Sequence, residues 1–336
     1  MKLYRVGVVG IGAVGAEMVK ILRERNFPAS EIRILARSER DETVAGETYH
    51  VTPATEQAFE GLDFAFFAGT EGARGASQLF GWKAVEKGVT VIDNGDDFRM
   101  DARVPLVIPE VNADALDRHE GFIANPNCST IIALMALAPL HRAAGIRRFV
   151  ASTYQSVSGT GRQAIEELEQ QVRAYAAGQS LEAAAYPHQI AFNAIPHIGS
   201  LKEAMPGYTS EEVKMLLETR KILADESIKA SATCVRIPVF YAHSEAINME
   251  FERHITAEEA RNVLEKAPGV RVVDDVGAGI YPMPLDAGGR DDVLVGRIRP
   301  DESVRNGLAL FVCGDNIRKG AALNAVQIAE ALIARA

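Results

Sequence analysis

The feature that most constrains this chain is a glycine-rich segment near its start, Gly10-Ile11-Gly12-Ala13-Val14-Gly15. An apolar, β-branched run (residues 3–9) precedes it, and residues 16–22 follow with the apolar spacing of a helix. Strand, glycine turn and helix in this order are typical of a dinucleotide-binding fold, although other α/β proteins also carry glycine-rich turns. We therefore expect Gly10, Gly12, Ala13, Val14 and Gly15 to form a cofactor-binding loop. In this loop Gly10 permits the tight turn, Gly12 lets the backbone approach a pyrophosphate, and Gly15 lets the helix pack on the strand.

The end of the second predicted strand, residues 31–36, indicates which dinucleotide is bound. A fold selective for NAD commonly carries an acidic residue there, which bonds the ribose 2′-hydroxyl. Here Arg37 and Ser38 follow the strand, and both can donate hydrogen bonds to a 2′-phosphate. Arg40 is either a further contact or an ion-pair partner of Asp41. The sequence therefore favours NADP over NAD.

The alternation of apolar strands (62–68 and 89–93 among them) with helices continues to about residue 125 and predicts a doubly wound domain. Beyond residue 145 the predicted strands are 148–155, 233–239, 246–251 and 294–298, with helices near 162–177 and 210–223. We predict an α/β chain with two domains. A Rossmann-like domain spans residues 1–127 and is completed by a C-terminal helix within 317–336, and an α+β domain with a mixed sheet spans residues 128–316.

Composition excludes several classes of partner. The 336 residues carry a net charge of −9, which disfavours a polyanion such as nucleic acid. No apolar run approaches the roughly 20 residues needed to cross a bilayer. Three cysteines, with no leader ahead of the first strand, indicate a reducing compartment. We expect a cytoplasmic protein with no membrane segment, no nucleic-acid partner and no metal centre.

One cysteine has the setting of a nucleophile. Cys128 follows the turn-like Asn125-Pro126-Asn127 and precedes an apolar stretch, residues 131–137, with the character of a helix. Unpaired backbone N–H groups at a helix start favour the thiolate, which is the nucleophilic form of the side chain. The alternative is a small buried hydrophobic residue, as most free cysteines are.

Further motif blocks follow one another along the chain, at residues 91–94, 98–100, 109–112, 125–130, 152–161, 187–196, 219–222, 234–239, 243–245 and 315–324. With these blocks the chain resembles the bacterial-type aspartate-semialdehyde dehydrogenases, from its first strand to its last helix. The resemblance implies reversible, NADPH-dependent reduction of L-aspartyl 4-phosphate to L-aspartate 4-semialdehyde with release of phosphate. It also implies a role in the biosynthesis of lysine and diaminopimelate, threonine, methionine and isoleucine.

The resemblance assigns catalytic roles to three residues. Cys128 would form a thioester with the substrate, His243 would be the general acid/base, and Gln155 would orient the substrate by hydrogen bonding. Taken alone, a lone histidine is more often structural, and a glutamine at a strand end is an ordinary polar residue.

The same resemblance assigns binding roles. Arg236 would bind the α-carboxylate, Glu211 the amino group, and Lys214 and Arg99 the phosphate, whereas Ser158, Gly159 and Asn316 would contact the cofactor. A half-buried ion pair at Arg236 and a surface pair between Glu211 and Lys214 are the alternatives. The second domain would form a homodimer, with a tetramer as the other possibility.

The glycine loop departs from the pattern of this family, Gly-x-x-Gly-x-x-Gly, because it is one residue shorter. Three other functions stay open. N-acetyl-glutamyl-phosphate reductases share the fold and chemistry but usually carry an Asn-Pro-Gly-Cys-like turn. Malonyl-CoA reductases act on a thioester and need no phosphate contacts. An inert paralogue would have lost the cysteine or its partners, which are all present here.

Overall fold

A computed structural model describes residues 2–68 and 75–335. Its strands are β1 (Tyr4–Val9), β2 (Ala29–Ala36), β3 (Arg40–Val44), β4 (Glu47–Pro53), β5 (Phe64–Phe67), β6 (Thr90–Asp93), β7 (Phe122–Ala124), β8 (Ile146–Gln155), β9 (Lys229–Arg236), β10 (His243–Phe251), β11 (Val270–Val272), β12 (Val293–Pro300) and β13 (Gly307–Gly314). Its α-helices are α1 (Ala13–Glu24), α2 (Trp82–Glu86), α3 (Pro109–Asn112), α4 (Cys128–Ala144), α5 (Arg162–Ala176), α6 (Ser210–Leu223), α7 (Ala257–Leu264), α8 (Pro284–Ala287) and α9 (Leu323–Ile333).

The chain forms two compact units, residues 1–127 with 321–336 and residues 128–320. In the first unit the sheet order is β3-β4-β2-β1-β5-β6-β7, and its pairs are parallel except for β3 with β4. From β1 the chain moves outward to β2 and later returns to β5 on the other side. This reversal creates a crevice at the carboxyl ends of the strands, where such folds bind ligands.

Apolar side chains of α1 and α9 pack with those of β1 in the core of this unit, among them Val8, Met18 and Val326. The predicted fold class, a Rossmann-like domain plus an α+β domain with a mixed sheet, is confirmed. The sequence did not indicate the hairpin of β3 and β4. Its turn places both Ala45 and Gly46 at positive φ, as a two-residue hairpin turn requires.

In the second unit the sheet order is β11-β12-β13-β10-β8-β9. The sheet is mixed because β11 with β12 and β8 with β9 are parallel, whereas the central pairs are antiparallel. Helix α4 is buried along most of its length and contacts α6, α7 and the sheet. Alternate residues of β8, β9 and β10 share one face, which brings Gln155 level with Arg236 and Thr153 level with Cys234 and Glu245.

Among the bounds that differ from prediction are those of β9 and of the final helix. Strand β9 covers Lys229–Arg236 rather than 233–239, and it stops before Pro238, which cannot donate to a strand neighbour. The final helix begins at Leu323, after a π-helical turn at Arg318–Ala322. In the residues described, no helix combines the length and apolarity needed to cross a membrane.

Candidate active site

The glycine loop of the first unit borders a cleft of about 580 Å³ at the carboxyl ends of β1 and β2, lined by Gly10, Gly12, Ala36 and Arg37 among others. Gly10 has a φ of 96°, which favours glycine. A methyl group on Gly15 would overlap the carbonyl oxygen of Gly10, so the close approach of helix to strand requires glycine there. Gly12 caps α1 without a side-chain hydrogen bond, so no side chain of the cap competes with a phosphate for the helix N-terminus. These residues fit a dinucleotide.

The two residues proposed to contact a 2′-phosphate, Arg37 and Ser38, are both exposed. Among the residues described, no hydrogen-bond or ion-pair partner engages the guanidinium of Arg37. Arg40 also lines the cleft, but its Nε donates to Glu42 at 3.1 Å and its Nη1 to the Ser38 carbonyl oxygen at 3.2 Å. The partner of Arg40 is therefore Glu42, and Asp41 instead contacts His50.

Arg99 lies in the first unit and is buried. Its Nε donates to the carbonyl oxygen of Asn125 at 2.9 Å, and its Nη2 donates to that of Asn94 at 2.7 Å. These bonds fix the guanidinium at the ends of β6 and β7. Nearby, burial raises the pKa of Asp93 to about 6, although hydrogen bonds from Gly95 and Ser77 oppose that rise.

Cys128 is the first residue of α4 and is half-buried, whereas Cys234 and Cys313 are buried. The start of a 17-residue helix is the position at which backbone N–H groups favour a thiolate. The neighbour Ser129 is hydrogen-bonded through Oγ to the side-chain amide of Gln155. Gly320 lies against the cysteine, since a methyl group on Gly320 would be 2.9 Å from Cys128 Cβ. The backbone of α4 and the backbone at Gly320 thus fix the position of Cys128 Cβ.

Gln155, Glu211 and Lys214 form a polar cluster beside the start of α4. The Nε2 of Gln155 donates to Glu211 Oε1 at 3.1 Å, and Lys214 Nζ is 3.7 Å from Glu211 Oε2. Gln155 is fully buried and Glu211 is 9% exposed, so the pair predicted to share a helix face is not a solvated surface pair. An amide and an ammonium hold the carboxylate of Glu211 in place, and its charge suits a cationic ligand group.

Arg236 ends β9 level with Gln155 and is 6% exposed. Its Nη1 donates to the Ser156 carbonyl oxygen at 2.6 Å, while its Nε has no hydrogen-bond partner. No carboxylate pairs with this guanidinium among the residues that the structure describes. A buried cation without a counter-ion is costly, and a bound carboxylate would remove that cost. The expected alternative, a half-buried ion pair, does not occur among residues 2–68 and 75–335.

His243 begins β10 and is 1% exposed. The backbone N–H of Ser156 donates to its Nδ1 at 3.1 Å, and this hydrogen bond places the ring proton of the neutral form on Nε2. Burial, and after it the positive charge of Arg236, hold the pKa of His243 well below its usual range. The imidazole is therefore neutral at neutral pH in the free protein.

The three predicted cofactor contacts of the second unit lie around His243. The Oδ1 of Asn316 accepts hydrogen bonds from Ser156 Oγ, Ser158 Oγ and the backbone N–H of Ala242, each at 3.1 Å. Only the amide NH₂ of Asn316 thus remains for a ligand. Gly159 is exposed, and a methyl group there would lie within 3.1 Å of both the Arg236 guanidinium and the His243 imidazole. Glycine at this position therefore leaves both groups open on that side.

Sequence reasoning missed three residues of this site. Ser156 bonds to both Arg236 and His243, Gly320 packs on Cys128, and Glu245 lies one row deeper on the face that carries Gln155. Glu245 is fully buried, and neither carboxyl oxygen has a hydrogen-bond partner. Burial raises its pKa well above the usual range, and the charge of Glu211 adds to this rise. Each of the three belongs to a motif block, but only their spatial neighbours give them a role.

No group of three His, Cys, Asp or Glu side chains suited to a metal ion occurs within residues 2–68 and 75–335. The second unit combines a half-buried cysteine at a helix start (Cys128), a neutral histidine (His243), a buried guanidinium with no carboxylate partner in that unit (Arg236) and a buried carboxylate (Glu211). A thiol nucleophile beside separate sites for a carboxylate and a cation can carry out acyl chemistry on an amino-acid derivative.

Comparison with known proteins gives two family models and many relatives. Residues 5–119 match the model described as semialdehyde dehydrogenase, NAD binding domain, and residues 137–319 match semialdehyde dehydrogenase, dimerisation domain. The chain is 53% identical to the aspartate-semialdehyde dehydrogenase of Aquifex aeolicus over 98% of each chain. It is 46% identical to that of Synechocystis, also over 98% of each. The crystal structure of aspartate semialdehyde dehydrogenase II from Vibrio cholerae complexed with ASA superposes with a TM-score of 0.93, at 44% identity and 99% coverage of both chains.

Proposed function

Since the chain belongs to the aspartate-semialdehyde dehydrogenase family, we propose that it catalyses the reversible, NADPH-dependent reduction of L-aspartyl 4-phosphate to L-aspartate 4-semialdehyde and phosphate. The observation that carries the proposal is the buried Arg236, whose guanidinium lies beside His243 and has no carboxylate partner in the part of the chain that the structure describes. A planar guanidinium matches a carboxylate in shape and charge. The α-carboxylate of the substrate is the proposed ligand.

Cys128 is the proposed nucleophile. Its thiolate attacks the acyl carbon, the bond from that carbon to the phosphate oxygen breaks, and phosphate leaves with the bonding electron pair. A thioester on Cys128 results. When bound, NADPH supplies the hydride that reduces this thioester. His243 gives a proton to the former carbonyl oxygen as the adduct forms. It takes that proton back when the adduct collapses, which returns the thiolate and frees the aldehyde.

Glu211 supports an aspartyl substrate over the other candidates. Gln155 and Lys214 hold its carboxylate, and the proposed role of that charge is to bind the α-ammonium group. An N-acetylated substrate has no such cation, and a malonyl group has no amino group at all. Lys214 and Arg99 are the proposed phosphate contacts, and Gln155 is the proposed orienting residue.

NADP is the proposed cofactor because Arg37 is exposed at the tip of β2 without a partner among the residues described, and no acidic residue occupies that position. Ser158, Gly159 and Asn316 are its further proposed contacts. A homodimer formed through the second unit is proposed from the match to the dimerisation domain. A cytoplasmic location and a role in amino-acid biosynthesis remain predictions.

The test is phosphate-dependent NADP reduction, measured with three aldehydes: aspartate semialdehyde, N-acetyl-glutamate semialdehyde and malonate semialdehyde. We expect turnover with the first, and a preference for either of the others would overturn the proposed substrate. Cys128→Ala should abolish turnover while NADP binding stays near normal. Cys313→Ala is the matched control, because burial raises the pKa of that thiol to about 12 and keeps it unreactive. Retained activity in Cys128→Ala would refute the thioester.

A further inference from the structure

The peptide of Ser156 joins the two polar groups at the centre of the site. Its carbonyl oxygen accepts from Arg236 Nη1 at 2.6 Å, and its N–H donates to His243 Nδ1 at 3.1 Å. A methyl group on Gly159 would lie 2.9 Å from Arg236 Nη1 and 3.1 Å from His243 Nε2. The guanidinium and the imidazole are thus within about 6 Å of each other, the range over which one charge affects the protonation of another group.

The charge of Arg236 is uncompensated at this point. The guanidinium is buried, its Nε has no partner, and no carboxylate pairs with it in the part of the chain that is described. Its repulsion therefore acts on any proton added to His243 through a medium that screens poorly. A carboxylate that paired with the guanidinium would cancel most of this repulsion.

The site also holds a place for the added proton. Ser156 Oγ lies 3.1 Å from His243 Nδ1 and donates its own hydrogen to Asn316 Oδ1 at 3.1 Å. A protonated imidazole would turn Nδ1 into a donor, so the Ser156 N–H would lose Nδ1 as its acceptor. Nδ1–H would then donate to a lone pair of Ser156 Oγ, and the Ser156 hydroxyl would donate in turn to Asn316 Oδ1. The Nε2–H would remain on the side that faces Gly159.

We propose that Arg236 is a positioning residue for the proton of His243: its guanidinium adds to the effect of burial in keeping the imidazole neutral, and a bound substrate carboxylate removes that contribution and favours uptake of a proton from solvent. This inference rests on the proposed function, since it assumes that Arg236 binds the α-carboxylate. The acid is then charged only when a ligand carrying a carboxylate is seated. The carboxylate thus contributes to the chemical step as well as to binding.

Other titratable or charged groups on the surrounding elements are Cys128 on α4, Glu211 and Lys214 on α6, Glu245 on β10, and Asp315 and Lys319 in the turn after β13. Glu245 is two residues from His243 on the same strand face, and burial raises its pKa well above the usual range, which favours its uncharged form. Glu211 is paired with the ammonium of Lys214 at 3.7 Å. After burial, the charge of Arg236 is the main cause of the lowered pKa of His243.

The first experiment measures the pKa of His243 without any ligand, by NMR titration of its Cε1–H, assigned with His243→Asn. Arg236→Gln should raise the pKa by about one unit or more, since nearby charges shift pKa values by 1–3 units. Arg236→Lys keeps the charge and should leave the pKa low. Arg148→Gln, an exposed residue of β8, is the control and should change nothing. An unchanged pKa in a folded Arg236→Gln protein would overturn the proposal.

The second experiment adds L-2-aminobutyrate, which carries the α-carboxylate and α-amino groups but no reactive carbonyl. At saturation it should raise the pKa of His243 in the wild-type protein and have no such effect in Arg236→Gln. Propylamine, which lacks the carboxylate, should cause no shift. Ser156→Ala should bind the probe but show a smaller shift. No shift with aminobutyrate in the wild-type protein would refute the linkage.

Neither measurement requires turnover, so this inference and the proposed reaction fail separately. A protein that rejects all three aldehydes can still show the linkage between Arg236 and His243. A protein that turns over aspartate semialdehyde can equally show no probe-induced shift, and in that case only the linkage is wrong.

Discussion

Replacing Gly320 with alanine should impair catalysis by displacing Cys128. The new methyl carbon would be 2.9 Å from Cys128 Cβ and 3.4 Å from its Cα. Carbon atoms prefer a separation of about 3.5–4.0 Å, so a displacement of about 1 Å is required. Both carbons are set by the backbone: Cys128 begins α4, and the Gly320 N–H is bonded to the Asp315 carbonyl oxygen at 2.9 Å. Side-chain rotation cannot relieve the overlap.

Two costs follow from this overlap. Overpacking of a dense site lowers the free energy of unfolding by about 1–3 kcal/mol. A nucleophile displaced by about 1 Å can lose about 100-fold in rate, which corresponds to about 2.7 kcal/mol in the activation barrier. We therefore expect Gly320→Ala to fold with a slightly lower Tm and to lose roughly 10- to 100-fold in kcat. Its affinity for NADP should be unchanged.

Three measurements on purified protein test this expectation: the Tm, the kcat of phosphate-dependent NADP reduction, and the rate at which iodoacetamide alkylates Cys128. Gly277→Ala is the matched control, because the nearest atom to its new methyl group is 3.6 Å away. It should match the wild-type protein in all three. If Gly320→Ala keeps both kcat and alkylation rate within twofold of wild type, the steric argument is wrong.

Three further predictions concern the glycine loop, a buried acid and cofactor choice. Gly15→Ala should lower both Tm and NADP affinity because its methyl group would meet a backbone oxygen; Gly12→Ala, with no atom within 4 Å, should weaken NADP binding at unchanged Tm. Burial raises the pKa of Glu245, so its contribution to stability is present below its unfolded value of about 4.3 and is lost as pH rises towards the folded pKa. Glu245→Gln lacks this titration, so in urea unfolding its free energy of unfolding relative to wild type should rise by about 1.4 kcal/mol per pH unit over that range. A difference in the free energy of unfolding that stays constant with pH would contradict this. Arg37→Ala should reduce the kcat/KM preference for NADP over NAD by roughly tenfold or more, and Arg40→Ala by less because Glu42 holds Arg40; equal effects of the two changes would refute the assignment.

Elements with a strong local signal could be predicted from the sequence. The strand, glycine turn and α1 follow one another within 24 residues, and α5 and α6 lie within one residue of their predicted bounds. The β3–β4 hairpin was missed because its residues are mostly polar and alternate weakly. Its turn at Ala45 depends on the pairing of the two strands, which no local pattern specifies.

The candidate site divides in the same way. Cys128, Gln155, Arg236 and His243 were named from motif blocks, and the second unit brings their elements together. Their roles remain proposals, as do those of the other site residues. Gly320 could not be found from sequence, because its role depends on a cysteine 192 positions earlier in the chain.

The sequence by itself determined the class of fold and the glycine loop and supplied the candidates for the reactive side chains, because these depend on residue type and on spacing over a few turns of chain. Tertiary structure alone decided which charges are paired and which are not. Arg236 in isolation is an ordinary arginine. In the fold it is buried with no carboxylate partner among the described residues, beside a histidine that bonds to the same Ser156 peptide, and these contacts support its proposed role as an anion site. Desolvation and Coulomb interactions depend on distances between residues far apart in sequence, and only the folded chain sets those distances.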